Sequence, residues 1–206
     1  DIRRDIAKSI DGGENVFVID SKPVKVCQLA RAKRCVMGND NPQSAPSKGF
    51  CASQQMYYYG YKLHAICGIS GVIHSYDITA ANVHDIHYLD DAKWDYHDCL
   101  MLGDKGYLSA EVQQDLFETA HIKLEVPYRL NQQNWRNPSW AYRRFRKRIE
   151  TVFSQLNDQF MMVRNYAKQT GGLFTRTAAK IAAMTVLQYI NFCNHRKIGL
   201  VKDALF

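Results

Sequence analysis

Acidic residues nearly vanish from the last third of this chain. Residues 141–206 hold 12 Lys or Arg and only Glu150, Asp158 and Asp203 as acids, whereas residues 1–140 hold 15 basic and 17 acidic residues. Basic charge concentrated in one segment is the electrostatic footprint of a polyanion partner, most often nucleic acid. A solvated face that serves only solubility has the same composition. Other absences narrow the class. The six cysteines (27, 35, 51, 67, 99 and 193) contain no CxxC pair, so a disulfide scaffold is excluded and they read as reduced, mostly buried thiols in a cytoplasmic setting. His84 and His87 would share a helix face, but no second ligand pair lies at zinc-finger spacing. No run approaches the roughly 18 apolar residues that span a bilayer. The N-terminus "DIRRDIAKSIDGG" is polar and unlike a signal peptide, and its start at Asp1 rather than methionine suggests a fragment or processed form. Internal repeats and low-complexity tracts are absent as well.

What remains is a chain of 206 residues, 46% of them hydrophobic, enough to enclose one large core. "ENVFVIDSKPV" (14–24) reads as a strand with Asp20 at its end and Pro23 breaking the pattern. Residues 38–56, rich in Asn, Pro, Ser and Gly, read as a long surface loop. Two strand-like runs, about 58–67 and 72–79, flank "GISG", a hairpin turn signal. "HDIHYLDDAK" reads as a helix with Asn82 as its cap. "DCLMLGDKGY" (98–107) is a buried strand ending at Gly103-Asp104, followed by a helix over 109–120 capped by Ser109. "IKLEVP" (122–127) is a short strand, and 128–140 is a polar connection with two tryptophans. Two long helices close the chain, "AYRRFRKRIETVFSQLNDQFMMV" and "GLFTRTAAKIAAMTVLQYINFCNH". The order predicts an α/β fold, a mixed sheet flanked by helices. Residues 1–13 read as an N-terminal remnant or linker, 14–195 as the main domain and 196–206 as a C-terminal tail.

Asp20 and Asp104 each follow an apolar strand. If those strands are neighbours, both side chains reach the crevice at the carboxyl edge of the sheet, where open α/β sheets bind ligands. The third acid is Glu150, standing directly after five basic residues in six positions, "RRFRKR" at 143–148. Three carboxylates of this kind form a hard oxygen site for Mg²⁺ or Mn²⁺. Two such ions can activate a water or sugar hydroxyl and stabilise the leaving oxygen of a phosphodiester, while the surrounding Arg and Lys hold flanking phosphates. Each piece has a plainer reading. An Asp after a strand is often a turn or helix cap, and Glu150 is placed for an i,i+4 ion pair with Arg146.

Taken together and in order, "VFVIDSKPV", "LGDKGY" and "RRFRKRIETVFSQLND" resemble the catalytic domain of bacterial insertion-sequence DDE transposases. "GYKLHAICGISGVIHSYDITAANVHD" resembles the segment between that family's first two acids. The likeness runs from about residue 14 to 195. It implies a ribonuclease H-like fold with Asp20, Asp104 and Glu150 as the catalytic, metal-binding triad for Mg²⁺ or Mn²⁺, two ions in all. It also implies cleavage and strand transfer at the double-stranded DNA ends of a mobile element, homodimeric assembly, and a cytoplasmic, nucleoid-associated location. In related transposases a Tyr and an Arg precede the glutamate and a Lys follows it. Arg146 matches the Arg; Tyr142 is one place off the Tyr position, where Arg143 stands; and Asn157 falls where the later basic residue is expected. The expected DNA contacts are Arg143, Arg144, Arg146, Lys147 and Arg148, with Lys105 and Tyr107 of "GDKGY". His84 and Asp85 are lesser candidates for the crevice edge, and Trp135 and Trp140 for stacking on a base or for a small apolar cluster. Rival readings are a ribonuclease H-like nuclease or resolvase without strand transfer, and an inactive DNA-binding remnant.

Overall fold

The computed structural model describes residues 1–39, 41–52, 54–128 and 135–205. Its sheet is laid around β1 (Val16–Cys27). β3 (Met56–Gly68) runs antiparallel along β1, from Phe17↔Gly68 to Cys27↔Tyr59. β5 (Leu100–Leu102) pairs in parallel with the start of β1 at Val16, Phe17 and Val18, and β6 (Lys123–Glu125) pairs in parallel beyond it. The far edge of β3 is shared end to end. β2 (Ser47–Cys51) takes Met56 to Gly60, and β4 (Ile73–Ala80) takes Tyr61 to Cys67, both antiparallel. This is a six-stranded mixed sheet of the ribonuclease H-like kind, as the element order predicts.

Among the described residues six α-helices complete the fold: α1 (Ile2–Ile10), α2 (Tyr88–Asp95), α3 (Ala110–Ala120), α4 (Trp140–Phe145), α5 (Lys147–Asp158) and α6 (Thr170–Cys193). Alternate residues of β1 serve opposite layers, because side chains along a strand alternate between faces. Phe17 and Ile19 pack with Tyr88, Leu89, Leu116 and Ile122 in the α2–α3 layer. Val18 and Val24 pack with Ile149, Val152, Phe153 and Leu156 of α5 and with Leu173, Ile181 and Met184 of α6. The even-numbered row of β1 therefore lies under α5, and that fact positions the site described below.

Several elements differ from the sequence reading. Asp20 is not at a strand end, since β1 continues to Cys27. Pro23 is accommodated because β1's pairing with β5 stops at Val18, and proline is tolerated where a strand has a free edge. The supposed loop 38–56 contains β2, whose weak strand signal is overridden by pairing with Met56–Gly60. Asn82 does not cap the next helix: its backbone N–H and side chain are tied to Ser47, and His84 Nδ1 instead accepts from Ile86 N–H. α5 ends at Asp158, five residues before the end of the periodic pattern. The chain reverses at Met161 (φ 52°), and Met162 N–H returns to Leu156 O at 2.9 Å. The connection 128–140 lies partly outside the described residues.

The terminal segments are folded rather than linker-like. α1 buries Ala7 and Ile10 against Val72, and Arg3 donates to the carbonyls of Ile73 and His74. In the C-terminal segment, Val201 enters the main core.

Gly60 stands where β3 changes partner from β2 to β4, opposite a bulge in β1 between Lys25 and Cys27. A Cβ there would lie 2.2 Å from Val24 O and 2.9 Å from Val26 N, both backbone atoms. Neither can yield as a side chain could. Gly60→Ala is expected to destabilise the fold by about 2–3 kcal/mol or more, which would lower Tm by roughly 5–10 °C. An unchanged thermal melt would show that the β1 bulge is not locked by this contact.

Candidate active site

Asp20 and Lys22 occupy the β1 row between Val18 and Val24, facing α5. Where those two polar residues interrupt the apolar row, a cleft of about 620 Å³ opens between strand and helix. Its walls include Asp20 and Lys22 from β1, Lys62 from β3, and Asp85 and Asp104 from the turns after β4 and β5. Arg146, Glu150 and Asn157 come from the helical side. All three acids of the motif resemblance thus reach one cleft. A smaller cavity of about 340 Å³ between α1 and the sheet, lined by Asp11, Glu14, His74 and Tyr96, contains none of them.

Local structure explains how each acid is held. Asp104 caps the short 3₁₀ turn Lys105–Tyr107, its Oδ1 accepting from Gly106 N–H at 2.7 Å. A Cβ at Gly106 would lie 2.9 Å from that oxygen, so glycine permits the approach. The turn-cap reading and the cleft reading of "GDKGY" are both realised in one residue. Glu150 lies in the first turn of α5 and is exposed. Asp20 Oδ1 accepts from Ser21 N–H at 2.8 Å, and its Oδ2 accepts from Arg146 Nη2 at 3.0 Å. Arg146 also approaches Glu150 Oε1 through Nη1 at 3.7 Å, so its guanidinium stands between two of the three acids. That Nη1 is buried and makes no hydrogen bond among the described residues.

Burial raises the Asp20 carboxyl to about 6; the Arg146 guanidinium opposes the rise and the Asp104 carboxylate adds to it. Even with its arginine in place, Asp20 has less positive charge around it than an ionised carboxylate at that depth requires. Burial is the largest single influence on Arg146 and lowers it, but Asp20, Tyr142 and Asp104 together outweigh it and the net shift is upward. Lys22 is held down to about 8 by burial. The donors are all oxygen, as Mg²⁺ and Mn²⁺ prefer. No three His, Cys, Asp or Glu side chains among the described residues converge closely enough to hold one ion, and Glu150 is turned to Arg146. The oxygen donors of the three acids suit a divalent cation by chemical type, while Arg146 pairs with Asp20 and stands 3.7 Å from Glu150.

The basic run 143–148 divides. Only Arg146 enters the cleft; Arg143, Arg144, Lys147 and Arg148 are exposed. Arg144 lies over the rings of Trp140 (5.1 Å) and Phe145 (5.7 Å), so Trp140 belongs to a small surface cluster. Arg148 runs beside Gly71 and Gly199, away from the cleft. Lys105 is exposed on the Asp104 turn. Tyr107 is fully buried, and its hydroxyl has no hydrogen-bond partner among the described residues. It packs in the α2–α3 layer, so its expected DNA contact gives way to a core role. Trp135 is half exposed and does not line the cleft.

Three cleft residues escaped sequence reasoning or ranked low in it. Lys22 shares a strand face with Asp20, a spacing of two that the strand pattern carries. Lys62 enters because β3 pairs Lys62 with Pro23, which no local signal reveals. Asp85 is anchored by Lys62 Nζ at 2.9 Å, with His64 Nδ1 3.8 Å away.

The family model described as "Transposase DDE domain" matches residues 11–186. The chain belongs to the transposase DDE domain family. Neither a curated protein nor a solved structure matches it significantly. The matched span of this transposase domain includes all three carboxylates, Arg146 and Lys22. No helix among the described residues is long and apolar enough to cross a membrane.

The raised Asp20 carboxyl has a stability consequence with a definite sign. The folded chain binds this proton more tightly than the unfolded chain does, so stability falls as pH rises from about 4 to 6, and above that the full penalty of the buried carboxylate remains. Asp20→Asn is expected to stabilise the metal-free protein by about 1–3 kcal/mol at pH 7.5 and by much less at pH 4. Thermal melts at the two pH values check this; equal shifts at both would remove the electrostatic explanation.

Proposed function

We propose that this transposase domain cleaves the DNA ends of a mobile element and joins them to target DNA in a divalent-metal-dependent reaction. The observation that carries the reading is the meeting of Asp20, Asp104 and Glu150, delivered by three separate elements, in one cleft with Arg146 as their resident cation. Asp20, Asp104 and Glu150 would hold Mg²⁺ or Mn²⁺. Such an ion, when bound, polarises the phosphodiester and offsets charge on the attacking and leaving oxygens.

The chain's own groups supply the rest. Asp20 is fixed by Ser21 N–H and Asp104 by Gly106 N–H, so each enters the reaction with one oxygen already oriented. Arg146 keeps Asp20 ionised in the absence of other cations. When that role is relieved, its guanidinium becomes a donor for a phosphate oxygen, a task that suits its planar fork. The first chemical event is attack of water on a phosphodiester, freeing a 3′-hydroxyl. The second is attack of that hydroxyl on a phosphorus of target DNA, forming a new P–O bond as the target strand's own 3′-oxygen leaves. Exposed Arg143, Arg144 and Lys147 lie on the helical segment leading into the cleft and would contact the flanking backbone. The double-stranded DNA partner and homodimeric assembly rest on the family likeness.

Asp104→Asn retains an oxygen for Gly106 N–H and loses the charge. It is expected to lower Mg²⁺-dependent cleavage of terminal-repeat DNA by about 10²- to 10³-fold or more, while the duplex Kd stays within about threefold. Labelled element ends incubated with wild-type chain should yield joined as well as cleaved product; cleavage without joining would favour a plain nuclease. Undiminished cleavage by Asp104→Asn would sink the triad.

A further inference from the structure

One cationic group in the cleft has no counter-ion in contact. Lys22 is half-buried at the wall, and among the described residues no carboxylate lies within ion-pair distance of its ammonium. Asp158 acts on it only at longer range and does not offset the effect of burial. Among the described residues it donates one hydrogen bond, to Asn157 Oδ1, and its Nζ lies 5.9 Å from the centre of the Phe153 ring. A lysine ammonium can only donate, so the amide oxygen of Asn157 must face it and the amide NH₂ must face elsewhere. That NH₂ makes no hydrogen bond among the described residues. Two adjacent groups therefore offer donors, one of them charged, and among the described residues no carboxylate lies in contact with the Lys22 ammonium.

Their placement repeats the carboxylate site one step along. Lys22 follows Asp20 by two residues on the same strand face, about 6.6 Å further on. Asn157 follows Glu150 by seven residues, within about 20° of two full helical turns. Strand and helix thus advance together from an acidic pair to a donor pair. The strand step is comparable with the distance between successive phosphates on a nucleic-acid strand, and the helix step is longer, about 10.5 Å.

We propose that Lys22 and Asn157 form a phosphate subsite that holds the backbone phosphate next to the one cleaved. The inference rests on the DNA reading above and adds to it a residue, a strand position and a register. Lys22 is a substrate-binding residue in this assignment. Asn157 orients the ammonium and donates its own N–H to the same phosphate.

The test uses the full chain and a duplex oligonucleotide carrying the terminal repeat of the element that encodes it, in Ca²⁺ for binding and Mg²⁺ for cleavage. Lys22→Gln keeps an N–H donor for Asn157 and removes the charge. It should weaken binding about 3- to 10-fold and reduce the slope of log K against log salt by about one. Neutral methylphosphonates placed singly on either side of the cleavage point should penalise the wild type most at one adjacent position. That penalty should disappear in Lys22→Gln. Asn157→Lys in the Lys22→Gln background should restore both slope and penalty by returning the charge from the helix side. If Lys22→Gln melts normally and shows the wild-type salt slope and methylphosphonate profile, the subsite is wrong and Lys22 is a packing tie between β1 and α5. A variant that melts lower while both binding readouts stay unchanged overturns the subsite equally. Wild-type protein that binds no duplex overturns the DNA reading itself, whereas failure confined to Lys22→Gln leaves that reading standing.

Discussion

The ion pair between Asp20 and Arg146 organises this molecule's site. It joins the middle of β1 to the junction of α4 and α5, across 126 positions of sequence, at 3.0 Å. Both partners are largely removed from water, with side chains 17% and 13% exposed. Truncating Arg146 would leave the Asp20 carboxylate buried without its cation, a loss larger than the pair's own net worth. Arg146 has helical backbone angles (φ −53°, ψ −37°) between the two helices, so its anchoring sets where α5 begins and where Glu150 stands. The third acid is located by the first, through an arginine.

Around that pair the fold divides its labour by strand period. Phe17 and Ile19 of β1 commit to the α2–α3 layer, and Val18 and Val24 to the α5–α6 layer. Polar side chains at 20 and 22 break the second row without breaking the strand, because Val18 and Val24 on either side retain the contact with α5. The result is a cleft roofed by a helix that is itself well anchored through Ile149, Val152, Phe153 and Leu156. Such a site is rigid where it meets the core and open where Glu150 and Ser154 face solvent. Membership in the transposase DDE domain family gives this architecture its context. The buried acid, the arginine beside it and the unpaired lysine give the context physical content.

Much of this was legible in sequence because the relevant signals are local. The periodicity of 110–120 and the Ser109 cap, the hairpin about residues 69–71, the apolar run before Asp104 and the long helix α6 all follow from spacing and side-chain type. Asn82 and Tyr107 were misjudged for one reason: each has a role set by a distant partner. Ser47 holds Asn82, and the α2–α3 layer encloses Tyr107. β2 was hidden because its five residues gain strand geometry only from the neighbouring Met56–Gly60 segment. The polarity of the basic run 143–148 was plain, but its division was not. Helical phase relative to β1 turns Arg146 inward and leaves its neighbours to solvent.

The sequence by itself determined the class of chemistry: hard carboxylate donors at three spaced positions, beside a basic segment, in an α/β order. Residue type suffices for that, since oxygen donors and cations are properties of side chains. Tertiary structure alone decided that Arg146 sits among the acids in their resting arrangement, that Asp20 is driven up by burial, and that Lys62 and Asp85 join the cleft. It alone decided, too, that the stretch "RRFRKRIETVFSQLND" works from two directions, with Arg146 and Glu150 meeting Asp20 at one end and Asn157 meeting Lys22 at the other. Desolvation and register across a sheet depend on what lies opposite, and no local pattern encodes that.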